Sequence, residues 1–192
     1  PDVVNVFNLT HDLMQVREVQ QSILESYKDD FGKHLNKNEV QEIDQTELTK
    51  IMQVYKSIPN QLAKENKKFQ YKLVASNAKA RSHSNAITWL EEFGLICKCH
   101  NLNNLELPLD GNKDEDTFKI YVTDTGLFVA MLEEGTVDNI INGDLKVYKG
   151  AIFENIIADA FNKMDKDLYY YHKQSGLEID FVTRYNNELT LI

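Results

Sequence analysis

The stretch from Lys149 to Ile192 constrains the fold more than any other part of the chain. One helical pattern is followed at once by three short strand patterns. In KGAIFENIIADAFNKM, the residues Ile152, Phe153, Ile156, Ile157, Ala160 and Phe161 recur at helical intervals. They predict a wide apolar face, with Glu154 and Asp159 lying off it. LYYYHK and LEIDFVT then read as strands around the turn QSG, and ELTLI follows the turn YNN. The order is helix, strand, strand, strand. Within the second strand Asp180 stands between Ile179 and Phe181, and a charge in such apolar company needs a partner.

A carboxylate late in a strand and another on the preceding helix can converge on one ion. Mg²⁺ takes oxygen ligands, usually one or two carboxylates with waters and a phosphate, and a metal so held activates water and neutralises phosphodiester charge. Glu154 and Asp180 are the candidate catalytic and metal-ligating pair, with Mg²⁺ or Mn²⁺ as the ion. Period-two alternation puts Glu178 on the same side as Asp180, as a neighbour or a substitute. The competing reading is structural, since paired acids often serve stability alone.

Upstream, apolar residues at 13, 16, 19, 23, 24, 27 and 31 predict a helix over 11–31, with Thr10 or Asp12 able to cap it and Gly32 after its end. Residues 33–46 are polar and read as a loop. A second helix is expected over about 47–56, and Pro59 is expected to open a separate short segment, NQLAKEN. HSNAITWLEEFG predicts a helix that turns Ala86, Ile87, Trp89, Leu90 and Phe93 inward and stops at Gly94. LICKC then reads as a strand, HNLNN as a turn and LELPL as the returning strand. Helices followed by a helix and a hairpin form a winged helix-turn-helix, the alternative being a generic helical domain with a small hairpin. In FKIYVTDTGLF, Phe118, Ile120 and Val122 alternate as a strand, and Thr123 or Asp124 caps the next short helix.

Charge is unevenly placed. The chain of 192 residues carries a net charge of -9, which argues against a nonspecific nucleic-acid binder. Yet residues 56–81 hold seven basic side chains against the single Glu65, and residues 106–144 hold ten acids against Lys113 and Lys119. This polarity points to an electrostatic footprint or to two regions that dock on each other. Cys97 and Cys99 stand one residue apart beside His100, but no second pair completes a metal shell, so a strand cysteine pair in a reducing cytoplasm is expected. No stretch approaches the length of a membrane helix, and no signal-peptide pattern opens the chain. The first residue is Pro1 and not methionine, so a longer parent is expected.

Several segments in succession carry a family resemblance: PDVV, VQQSILESYKDDFGKH, SIPNQLAKENKKFQY, AITWLEEFGLI, LPL, FKIYVTDTGLF and KGAIFENIIADAF. Together they resemble the C-terminal half of bacterial and archaeal AAA+ ATPases that end in a domain of unknown function. The resemblance implies an α+β chain in two parts. A helical region with a winged helix-turn-helix occupies 1–135, with its wing at about 95–109. A truncated restriction-endonuclease-like domain of the PD-(D/E)xK type occupies 136–192. It matches Glu154 to the helix acid of that fold and Asp180 to the strand acid. The next strand of such folds carries an acid, one intervening residue and a lysine, and ELTLI approaches that motif where the chain ends at Ile192. No GxxxxGK[ST] occurs, so ATP is expected only in the absent ATPase module.

Two functions follow as expectations. In the first, the chain is a DNA-acting, nuclease-like module that is inactive by itself. Helix 82–93 would be its reading element, with Lys67, Lys68, Lys72, Lys79 and Arg81 on phosphates and Glu91 and Glu92 opposing them. In the second, it is a non-catalytic module that binds a protein partner or the ATPase module, with Tyr169, Tyr170 and Tyr171 available for contact.

Overall fold

The computed structural model describes residues 2–34, 45–133, 135–144, 148–173 and 175–192. It is an α+β structure in which helices pack on a five-stranded mixed sheet. Three helices come first: α1 (Asp2–Thr10), α2 (Leu13–His34) and α3 (Gln45–Leu62). Most of the loop expected over 33–46 lies outside the described residues. Helix α4 (Ala80–Glu92) leads into β1 (Ile96–Leu102) and β2 (Lys113–Val122), followed by α5 (Thr125–Ala130), α6 (Thr136–Ile141) and α7 (Lys149–Lys163). The chain closes with β3 (Tyr169–His172), β4 (Glu178–Tyr185) and β5 (Glu188–Leu191).

The strand order is β2-β1-β3-β4-β5. β1 pairs antiparallel with β2 and parallel with β3, while β3, β4 and β5 form an antiparallel meander. The expected helix-strand-strand-strand order is therefore present, with YNN as the β4–β5 turn. Asn186 and Asn187 both adopt positive φ there, as a tight hairpin turn requires. The expected hairpin after α4 is present as well, but its other edge is paired with β3, so one sheet runs across the expected 135/136 boundary.

Four expectations are corrected. The strand that returns to β1 is Lys113–Val122 and not LELPL. Residues 105–109 form the bend before it, where Pro108 has no N–H for a ladder. The Asn112 side chain donates to the carbonyls of Glu106 and Pro108, at 3.1 and 3.0 Å, and holds that bend. Pro59 does not open a separate segment, because it lies in the last turn of the continuous helix α3. Its missing N–H costs one helical bond at most at that position, and burial of Ile58, Pro59 and Leu62 offsets the loss. The three tyrosines are not exposed. Tyr170 enters the main core, while Tyr169 and Tyr171 enter a smaller cluster with Leu102, Leu109 and Val182 on the other face. Strand alternation thus feeds two apolar layers.

The fourth correction concerns α7, whose buried side is rotated from the expected one: Ile152 is buried as expected, but Glu154 and Asp159 are buried with it. It buries Ala151, Ile152, Glu154, Asn155, Ala158 and Asp159, whereas Phe153 and Ile156 remain 50% and 45% exposed. The polar side faces inward because β2 and α5 offer it partners. The Asn155 amide accepts from the Val122 N–H at 2.9 Å and donates to the Val122 carbonyl at 3.0 Å. Asp159 accepts from the Thr125 backbone and hydroxyl at 3.3 and 3.1 Å. Asp124 caps α5 as expected, accepting from the Leu127 N–H at 2.8 Å.

Candidate functional site

Lys119 belongs to the run Phe118–Val122, in which every residue is buried. Only 1% of it is exposed, and an ammonium at that depth needs counter-charges. β1 and β3 lie between β2 and β4, with neighbouring strands about 4.8 Å apart. The Lys119 side chain and the acids of β4 reach toward each other over the intervening strands. Its Nζ comes within 3.4 Å of Glu154 Oε2, 3.6 Å of Glu178 Oε1 and 3.8 Å of Asp180 Oδ1. The Tyr170 ring lies beneath it, 4.9 Å from Nζ to the ring centroid. Glu154 and Asp180 therefore meet at one point, and Glu178 joins them on the side that strand alternation requires.

Glu154 has no free oxygen. Oε1 accepts from the Lys67 ammonium, and Oε2 accepts from the Tyr121 hydroxyl at 2.7 Å as well as facing Lys119. Burial first, and then the charges of neighbouring groups that include Glu154, hold the Tyr121 hydroxyl well above its ordinary pKa, so it remains a donor. Asp180 and Glu178 are open to solvent, with side chains 57% and 45% exposed, and His172 Nδ1 lies 3.8 Å from Glu178. Lys67, Lys68, Lys119, Asn101, His172 and Glu178 are among the residues that line a cleft of about 600 Å³ over the cluster.

The expected divalent ion does not fit this arrangement. Mg²⁺ requires oxygens at about 2.0–2.1 Å, and here an ammonium occupies the point on which the carboxylates converge. Among the described residues no group of three or more histidines, cysteines or acids is placed to hold a metal. That includes Cys97, Cys99 and His100. Burial, with the charges of Asp159 and Glu91, pushes the Cys97 thiol up to about 12, and burial raises Cys99 as well.

The basic residues expected on phosphates divide into two groups. Lys67 is committed to Glu154, and Lys68 Nζ donates to Thr117 Oγ1 at 3.1 Å. Lys72, Lys79 and Arg81 are exposed and form no ion pair with any described residue. Arg81 lies on the open face of α4 with Ser84, Asn85 and Thr88. Glu91, expected to repel phosphate, is held by Lys98 at 2.7 Å, whereas Glu92 remains exposed. The groove beside α4 is lined by Tyr71, Arg81, Ser84 and Thr88 on one side and by Glu115 and Asp116 on the other.

Sequence reasoning missed Lys119 and Tyr121. The alternation of Phe118, Ile120 and Val122 reads as a strand with those residues on one side and Lys119 and Tyr121 on the other. The available signal was a lone lysine inside the apolar run FKIYV, since a strand buried on both faces reads as continuously apolar.

A family model described as a domain of unknown function, DUF8612, matches residues 1–138, more than half of the chain. The chain belongs to the DUF8612 family. A second model, DUF4143, also a domain of unknown function, matches residues 149–192. No curated protein and no solved structure matches. The DUF8612 segment supplies Lys67, Lys119 and Tyr121, and the DUF4143 segment supplies Glu154, Glu178 and Asp180. The cluster is thus shared between the two matched segments. Among the described residues no helix is long and apolar enough to cross a membrane.

Proposed function

We propose that this chain is a DNA-contacting module with a nuclease-like core, derived from an AAA+ ATPase-like protein and without cleavage activity of its own. The observation that carries the reading is the convergence of Glu154 from α7 and Asp180 from β4 on one point, the Lys119 ammonium. A helix acid and a strand acid meeting across α7-β3-β4-β5 is the arrangement expected of a restriction-endonuclease-like half-core. The winged-helix reading of α3, α4 and the β1–β2 hairpin supplies the contact surface. Arg81, Ser84, Asn85 and Thr88 form a polar stripe on α4, with Lys72 and Lys79 near its start. Such side chains donate to phosphate oxygens and base edges.

A second reading, a non-catalytic module that docks a protein or the ATPase module, is favoured by the outward apolar side of α7 with its exposed Phe153 and Ile156. One experiment separates the two. Fluorescence anisotropy of a labelled duplex is measured at low and moderate salt with the chain and with its Lys72→Glu/Arg81→Glu variant. The DNA reading requires binding at low salt that weakens as salt rises, and a loss of roughly tenfold or more in the variant. No binding at low salt, or equal binding by the variant, leaves the protein-docking reading.

A further inference from the structure

Every feature of the acid cluster shows a cation already in place. Lys119 is buried, and three carboxylate oxygens from two elements surround its Nζ at 3.4, 3.6 and 3.8 Å. These separations exceed the 2.7–2.9 Å of a tight charge-assisted bond. The ammonium is therefore placed among the carboxylates and not donated closely to any one of them. A second ammonium, that of Lys67, neutralises the oxygen of Glu154 that faces away from Lys119. Two lysines thus balance most of the charge of Glu154, Glu178 and Asp180.

We propose that Lys119 is the resident cation of this cluster, standing where a divalent ion would stand and excluding it. The proposal holds whether or not the chain binds DNA. The site differs from a metal centre in its source of charge: β2 supplies a fixed positive group, and acids from α7 and β4 converge on it. A dication brought beside Lys119 would face a like charge that cannot leave, because the stem is enclosed and the ammonium lies over the Tyr170 ring. Removal of the ammonium would leave three carboxylates around an empty centre. Glu178 and Asp180 are exposed, neighbour each other on one strand face, and have room to contract onto an ion.

The test is Mn²⁺ binding, read from the amplitude of the free-ion electron paramagnetic resonance signal. It compares the wild-type chain, Asp180→Asn, Lys119→Met, and Lys119→Met combined with Asp180→Asn. The proposal expects little binding by the wild type, binding at least about tenfold tighter by Lys119→Met, and a return to weak binding in the double variant. Tight binding by the wild type that is lost in Asp180→Asn overturns it. Equally weak binding by wild type and Lys119→Met also overturns it, since the lysine would then not be what keeps the ion out. If circular dichroism shows Lys119→Met unfolded, the wild type decides the matter. A slowly exchanging Lys119 ¹H–¹⁵Nζ resonance should persist unshifted through a Mg²⁺ titration, and its displacement by Mg²⁺ rules the proposal out.

Discussion

At the scale of single residues, the acids that converge on Lys119 differ sharply in what they contribute. Glu154 is buried and holds three donors, the Lys67 and Lys119 ammoniums and the Tyr121 hydroxyl. Removing its charge leaves a buried lysine without its nearest counter-ion, a loss that costs about 3–5 kcal/mol. Glu154→Gln is therefore expected to lower unfolding free energy by that order in urea denaturation. Among the described residues Asp180 forms an ion pair only with Lys119, at 3.8 Å, and its side chain is more than half exposed. Asp180→Asn is expected to change stability by less than about 1 kcal/mol, because solvent screens such a pair. Equal losses in the two variants would show that the cluster does not rest on Glu154. The aspartate between Ile179 and Phe181 could be read as needing a partner. The identity of that partner could not, because Lys119 is 61 positions away in a strand whose alternation sets it on the side opposite Phe118, Ile120 and Val122.

At the scale of the element, α7 carries the clearest departure from pattern. Its apolar residues fall at helical intervals, and amphipathic periodicity alone assigns them to the core. The buried side instead presents Glu154, Asn155 and Asp159, since each finds a specific acceptor or donor on β2, α5 or the 66–70 segment. Buried polar groups that find partners are tolerated, although Asp159 Oδ1 accepts no hydrogen bond from the described residues, and such partners cannot be seen from the helix itself. This assignment predicts opposite responses from adjacent residues. Ile152→Ala should destabilise by about 2–5 kcal/mol, because Ile152 is in the main core. Phe153→Ser should change stability by no more than about 0.5 kcal/mol, because its side chain is on the open side. Thermal or chemical denaturation of the two variants checks the orientation, and a loss from Phe153→Ser as large as that from Ile152→Ala would restore the face read from periodicity. Elements whose signals are local were legible: the α4 helix and its stop at Gly94, the Asp124 cap and the YNN turn lie where the residues place them, although Phe93, expected inward, is 44% exposed.

At the scale of the whole molecule, the two matched segments are halves of one structure. β3 takes its parallel partner from β1, through His100–Tyr169 and Asn101–Tyr170, and Phe181 belongs to the same core as Ile51 and Leu90. The basic 66–70 stretch also lies against β2, where the Phe69 N–H donates to the Phe118 carbonyl at 2.8 Å. Contact between the basic stretch and the acidic region is thus made through backbone and hydroxyl groups more than through paired charges. A peptide of residues 149–192 alone would expose one edge of β3, lose both ammoniums of Glu154 and leave Tyr170 without its core. It is expected to be unfolded by circular dichroism and by amide dispersion in NMR. A well-dispersed spectrum from that peptide would show the segments to be independent domains.

Local residue patterns fixed most of the elements, though not α1, α6 or the full length of the return strand Lys113–Val122. Helical and strand periods, caps and turns are written in neighbouring residues, so α4, the β1 strand and the helix-strand-strand-strand tail are legible from the residues alone. The tertiary structure decided which sides of those elements meet. The pairing of β1 with β3, the rotated buried side of α7 and the meeting of Lys119 with the acids of α7 and β4 all depend on partners distant in the chain. A local pattern records how a segment can bury itself, but the charge it must meet when buried is set by the segments that pack against it.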